Sequence, residues 1–162
     1  MLDKSIQYYD VLMKRKIGTV ISNPSLPPGF TFSFFKLGDE KSWAEIETYV
    51  GEFEDEKRTK VATITSWWNY TELKRDPWIH WMAVKPQYQG LGLGKAIVFK
   101  AMMNLREIEG DKDVYLHTQT WSYKAINIYK KAGFDITSER GLGGYENNNY
   151  GEALFILKNY IR

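Results

Sequence analysis

The stretch Val84-Lys85-Pro86-Gln87-Tyr88-Gln89-Gly90-Leu91-Gly92-Leu93-Gly94-Lys95-Ala96 joins two apolar segments of different period, and its reading decides the fold. Upstream, Trp78-Ile79-His80-Trp81-Met82-Ala83-Val84 is dense in aromatic and β-branched residues and reads as a strand closed by Pro86. Downstream, a helix is expected from about Gly92 to Glu109, with Ile97, Ala101, Leu105 and Ile108 on one face and Gly110 as its stop. Between them a glycine loop must turn the chain. A Rossmann fingerprint starting at Gly90 and Gly92 needs a third glycine where Lys95 stands; a P-loop needs glycine at Gln89 and Ser or Thr at Ala96. Both fail. What remains is strand, then Gln-x-x-Gly-x-Gly, then helix. Such a turn either aims main-chain N–H groups at an anion on the positive end of the helix, or is a tight connection that binds nothing.

Working outward, Val61–Trp68 reads as a strand, followed by a polar turn around Lys74–Pro77. Val114–Thr118 is another. Ser122 can cap a shorter helix with Ala125, Ile128, Tyr129 and Ala132 at helical spacing and Gly133 as its C′ residue. Phe134–Ile136 and Ala153–Tyr160 are expected to be closing strands around a loop, Gly141–Gly151. Toward the N-terminus, Phe30–Lys36 alternates and predicts a strand. Asp39 is a candidate N-cap for a helix buried through Trp43, Ile46 and Val50. Residues 1–29 are an extension of uncertain structure, in which Ile6–Met13 is a strand or a loose arm.

Composition narrows the function classes. With 162 residues, 43% hydrophobic and 26% charged, the chain has the size of one domain that buries roughly 70% of its unfolded surface. It holds no cysteine, so a disulfide framework, a cysteine nucleophile and thiolate metal sites are excluded, and a reducing compartment is expected. The net charge of +2 comes from interspersed signs, which speaks against a nucleic-acid partner. No apolar run reaches membrane-spanning length, and no signal peptide is evident at the start. A soluble, cytoplasmic domain is the expectation.

The pattern Val84-x-Pro86-x-x-Gln89-Gly90-x-Gly92-x-Gly94-Lys95-Ala96 resembles motif A of the GNAT acyl-CoA N-acyltransferase superfamily. Ala125-Ile126-Asn127-Ile128-Tyr129-Lys130-Lys131-Ala132-Gly133-Phe134 resembles its motif B, at a separation of one helix and one strand. The resemblance covers about residues 30–162. It implies an α/β (mixed α+β) single domain whose twisted mixed sheet has six to seven strands, with helices on both faces. A V-shaped splay between the strands ending at Val84 and Thr118 would form the cofactor cleft. The resemblance further implies that acetyl-CoA is the co-substrate. Its pantetheine arm would run along Met82, Ala83 and Val84, and its pyrophosphate would rest on the amides of Gln89, Gly90, Leu91, Gly92, Leu93, Gly94 and Lys95. Ser122 stands where motif B often carries a cofactor-contacting Asn.

Acetyl transfer to an amine requires that the ammonium lose a proton and that the departing sulfur receive one. Without cysteine, direct attack in a ternary complex is the simplest route. Tyr129 matches the family's general-acid tyrosine; its other reading is a member of the apolar stripe of its helix. His80 is the candidate base, since His-x-x-Ala-Val resembles the strand of arylalkylamine N-acetyltransferases; its other reading is a buried histidine held by a carbonyl. Alternation puts Trp78, His80, Met82 and Val84 on one side of their strand. His117 is read as structural; Glu45 and Glu47 are weaker base candidates, of which at most one could reach the cleft, and their favoured reading is a solvated surface carboxylate. The amide of Met82 is the natural oxyanion donor. Lys95, Lys124 and Lys131 are read as solvated. Trp67, Trp68, Trp78, Trp81 and Trp121 gather on the expected acceptor side, and the acidic run Glu52–Glu56 could attract an amine. The partner implied is an amine-bearing small molecule or peptide; a homodimer is left open. A non-catalytic acyl-CoA-binding sensor is the alternative function.

Overall fold

Two long antiparallel strands, β2 (Ala62–Thr71) and β3 (Lys74–Val84), carry the region just quoted. The computed structural model describes residues 2–48 and 59–161; Val50 and Glu52–Glu56 lie outside them, as does the side chain of Glu47. The hairpin turns at Glu72 and Leu73, with Glu72 at φ 55° and Thr71 paired with Lys74. The turn expected at Lys74–Pro77 is therefore strand. Pro77 is tolerated because it stands just before β3 gains its second neighbour at Trp78.

The sheet has five strands among the described residues, in the order β2-β3-β4-β1-β5, where β4 is Val114–Gln119, β1 is Asp10–Arg15 and β5 is Phe134–Ile136. All pairs are antiparallel except β3 with β4, which the helix α2 (Leu93–Glu109) connects. The resemblance implies six to seven strands. Two differences account for the shortfall. Phe30–Lys36 alternates as a strand should, yet it pairs with no strand among the described residues and runs as coil, with Phe34 and Phe35 exposed. Ala153–Tyr160, expected as a closing strand, instead falls largely in the helix α4 (Tyr150–Leu157), which Asn149 starts by accepting from the amide of Ala153.

The position an extra closing strand could fill is taken from the other end of the chain. β1 lies between β4 and β5, in the interior of the sheet. Its centre, Val11-Leu12-Met13, is apolar at three consecutive positions and fully enclosed, as a strand covered on both faces should be. The arm before it runs along the end of β4: the hydroxyl of Thr120 donates to the carbonyl of Gln7 (2.6 Å), and the indole of Trp121 donates to the carbonyl of Ile6 (2.7 Å). The extension is thus an integral part of the sheet.

One core lies between the sheet and α2, α3 (Tyr123–Lys131) and α4. It joins Val11, Met13, Ile79 and Leu116 to Val98, Phe99, Met102, Leu105, Ile126 and Leu157. The buried face of α2 is set by Val98, Ala101, Met102 and Leu105; Ile108, predicted on that face, is 66% exposed. The other face carries Leu12, Trp78 and Tyr115, covered by the Gly141–Tyr145 loop. Gly143, at φ +56°, lies so close that a Cβ there would stand 2.6 Å from Cζ2 of Trp78. Only glycine fits. The remaining helix, α1 (Glu40–Thr48), packs on β2 and β3, where Trp43 meets Trp81 edge-on at 6.2 Å.

Candidate active site

β3 and β4 pair only at Trp78–Tyr115 and Ile79–Leu116. Beyond those two rungs the described strands separate, so the β4-facing edge of β3 from His80 to Val84 is left open. The register between β2 and β3 shifts between Thr63 and Thr65, and Trp81 sits at φ 53°. That left-handed residue costs about 1–2 kcal/mol. It breaks the expected alternation: Trp78 and His80 share one face, while Met82 joins Ile79 in the core under α2. Met82 is partly buried there, and its apolar contact offsets part of that cost.

The glycine loop follows. Pro86–Tyr88 forms one 3-10 turn, and Gly90 and Gly92 both take positive φ, +84° and +85°. A Cβ at either would meet nothing within 4 Å, so a hollow is open above the main chain. The first helical bond runs from the amide of Ala96 to the carbonyl of Gly92 (3.0 Å), so the amides of Leu93, Gly94 and Lys95 head the helix without an intrahelical acceptor. Gln89 turns its side-chain amide back to the carbonyl of Val84 (3.0 Å). Leu91 and Lys95 point outward, and Leu93 is buried as the anchor.

Gly94 brings the two sequence motifs together. A Cβ there would stand 3.2 Å from Cδ1 of Ile128, 3.6 Å from Cγ2 of Val84 and 4.0 Å from Sδ of Met82. The strand end, the head of α2 and the helix of Tyr129 therefore converge at one point. Tyr129 is 7% exposed, edge-on to Phe134 at 6.2 Å. Ser122 precedes α3 but does not cap it with its side chain; its hydroxyl accepts from the side-chain Nε2 of Gln119 (2.8 Å).

Across the splay two imidazoles follow the last paired rungs. His80 stacks on Trp78 (5.9 Å), with Nε2 enclosed and unpartnered. His117 stacks on Tyr145 (4.1 Å, 14°), and its Nε2 lies 3.2 Å from Oδ1 of Asp10. The hydroxyl of Tyr8 donates to the same oxygen (2.9 Å). Sequence reasoning missed Asp10, Tyr8 and Tyr145. Nothing local in the sequence ties Asp10 to His117, since only the placement of β1 beside β4 joins them. Of the weaker candidates, Glu45 reaches Lys85 at 4.0 Å, Lys95 lies over Phe99, and Lys124 over Tyr123. The tryptophans disperse: Trp68 turns to Glu109 at the far end of α2, Trp78 is enclosed, and Trp121 holds the N-terminal arm. No cluster of three metal-ligating side chains and no helix able to cross a membrane occur among the described residues.

Both histidines are held below the ordinary imidazole value. Burial does this for His80, helped by His117; for His117 burial wins over the opposing pull of Asp10. The unfolded chain, with ordinary histidines near pKa 6.5, therefore binds more protons as the pH falls below about 6.5, and stability drops through that window. The expected result is a melting temperature that declines between about pH 7 and about pH 5.5, with a shallower slope in His80→Gln. An unchanged slope would show that His80 does not contribute.

The profile described as the acetyltransferase (GNAT) family matches residues 20–134, and the chain belongs to that family. It is 28% identical over 120 residues to an N-alpha-acetyltransferase of Sulfurisphaera tokodaii, covering 70% of each chain. It is 33% identical over 66 residues to the chloroplastic GCN5-related N-acetyltransferase 5 of Arabidopsis thaliana, covering 41% of this chain and 21% of that relative. Among solved structures it is similar to GCN5-related N-acetyltransferases from Sphaerobacter thermophilus (TM-score 0.58, 16% identity, 79% of this chain) and Kribbella flavida (TM-score 0.54, 18% identity, 80% of this chain). It spans 48% and 56% of those two chains, and at such identities the likeness concerns the fold.

Proposed function

We propose that the chain binds acetyl-CoA along the open edge of β3 and transfers the acetyl group directly to a primary amine in a ternary complex. The observation that carries this reading is the convergence at Gly94 of the strand end, the head of α2 and the helix of Tyr129. The pantetheine arm would lie along Met82, Ala83 and Val84. The pyrophosphate would fill the hollow over Gly90 and Gly92 and meet the amides from Gln89 through Lys95, with Ser122 near the cofactor from the start of α3.

The amine nitrogen attacks the thioester carbonyl carbon, the carbon–sulfur bond breaks, and an ammonium and a thioester become an amide, a thiol and one proton. Tyr129 protonates or hydrogen-bonds the leaving sulfur; a phenol with pKa near 10 still carries its proton at neutral pH. His80 stands beside the acceptor as the base. With Nε2 enclosed, Nδ1 is the nitrogen it can offer. The amide of Met82, next to the bulge, is the oxyanion donor. The cysteine-free composition fits a reducing, cytoplasmic setting.

Burial of Tyr129 supports a second reading, an acyl-CoA sensor in which that ring only packs. A thermal-shift series with acetyl-CoA, followed by an amine panel read as free-thiol release, separates the two. Saturation at about a hundred times Kd should add about 2.7 kcal/mol of stability. The Sulfurisphaera relative is an N-alpha-acetyltransferase, which makes a peptide amino terminus the first acceptor to try. Stabilisation without thiol release favours the sensor, and no stabilisation refutes both.

A further inference from the structure

The N-terminal strand brings a carboxylate to the open face of the splay that neither motif contains. In the antiparallel register Leu12 faces His117 and Asp10 faces Gln119, so Asp10, Leu12 and His117 share a face with Tyr115 and Trp78. Oδ1 of Asp10 accepts from the hydroxyl of Tyr8 and lies 3.2 Å from Nε2 of His117. A carboxylate can only accept, so Nε2 carries the hydrogen and Nδ1 the lone pair. The stack on Tyr145 fixes the ring plane. His117 is thus oriented from β1, from the arm before it and from the loop before α4. The titratable groups around it are Asp10, Tyr8, Tyr145, Tyr115 on its own strand, and His80 across the splay.

The two imidazoles differ in what a proton would meet. On His80 it would sit beside an enclosed, unpartnered nitrogen with another histidine nearby. On His117 it would have a carboxylate at hydrogen-bonding distance. A buried cation is costly unless paired, so the second site holds the proton better.

We propose that Asp10 is a positioning residue for acetyl transfer, fixing His117 so that its Nδ1 receives the proton of the acceptor ammonium. The inference rests on the acetyl-transfer reading and moves the resting place of that proton from His80 to His117. One N–H bond of the ammonium breaks, its electron pair stays on nitrogen as the nucleophile, and the proton becomes Nδ1–H of His117. It leaves to solvent after the amide departs. The N-terminal strand, which precedes the stretch that the family profile matches, then completes the acceptor side of the site.

Because the chain has two histidines, their C2–H signals can be assigned in the full-length protein with His80→Gln and followed by NMR against pH. In Asp10→Asn the midpoint of His117 should fall while that of His80 moves little. The acid limb of kcat/KM should shift to lower pH with it, and the plateau should drop about tenfold, part of the ~10²–10⁴-fold a general base supplies. Asp10→Glu should restore both. An unmoved His117 midpoint in Asp10→Asn, or an acid limb that tracks His80 instead, overturns the proposal. Absence of acetyl-CoA binding by the unaltered chain overturns the reading beneath it, a result the NMR titration does not depend on.

Discussion

Replacing Tyr129 by Phe should lower kcat about a hundredfold or more while leaving the acetyl-CoA-induced rise in melting temperature in place. The ring is enclosed and lies edge-on to Phe134, contacts that Phe preserves. What the variant loses is the hydroxyl. As an ordinary hydrogen bond that loss costs about 0.5–1.5 kcal/mol of stability. As the donor to a departing thiolate it would cost about 2.7 kcal/mol of barrier for each hundredfold in rate. The two roles therefore separate by readout: a packing role moves the melting temperature alone, a donor role moves kcat far more. Measuring both on one preparation, with thiol release as the rate, decides between them. An unchanged kcat would return Tyr129 to the core and remove the acid from the mechanism.

The part of the fold that connects to this chemistry was legible because it is local. The strand to Val84, the glycine turn, α2 and α3 each announce themselves through period and punctuation within a few residues, and Gly110 and Gly133 end their helices at φ +76° and +89°. The ends of the chain were not legible, for a different reason. Phe30–Phe35 has the alternation of a strand, yet alternation describes a half-buried ribbon only if a partner edge exists, and among the described residues none is taken up. Ala153-Leu154-Phe155-Ile156-Leu157 is apolar without a decisive period. Tertiary context made it a helix, burying Ala153 and Leu157 and leaving Phe155 67% exposed. With that segment helical, the interior slot of the sheet fell to β1.

The site shows the same division. Spacing put Gly90, Gly92 and Gly94 in the turn that opens α2, and the second motif put Tyr129 on the neighbouring helix, as found. The facing of His80 relative to Met82 could not be assigned, because one positive-φ residue, Trp81, shifts everything after it to the other face. The link from Asp10 to His117 spans most of the chain and depends on strand order, which periodicity does not encode. His117 looked structural only because its partner was out of view.

The head of α2 supports the second large effect. Gly92→Val should weaken acetyl-CoA binding about a hundredfold or more, close to 2.7 kcal/mol. Gly92 sits at φ +85° where α2 begins, with open space where a side chain would project. A valine there would stand in the hollow in front of the amides of Leu93, Gly94 and Lys95, holding phosphate oxygens away from donors that need close approach. Backbone strain alone would also harm the protein, by about 1–2 kcal/mol, so a control with at least that strain, away from the loop, is required. Gly110 provides it: it closes the other end of the same helix at φ +76° and ψ −174°, a conformation harsher for a side chain than the left-handed one of Gly92, and a Cβ there also meets nothing within 4 Å. Gly110→Val should lower the melting temperature at least as much as Gly92→Val yet keep its acetyl-CoA response. Equal loss of that response in both variants would mean that strain, not a blocked cradle, is responsible, and the phosphate site at Gly90–Lys95 would have to be abandoned.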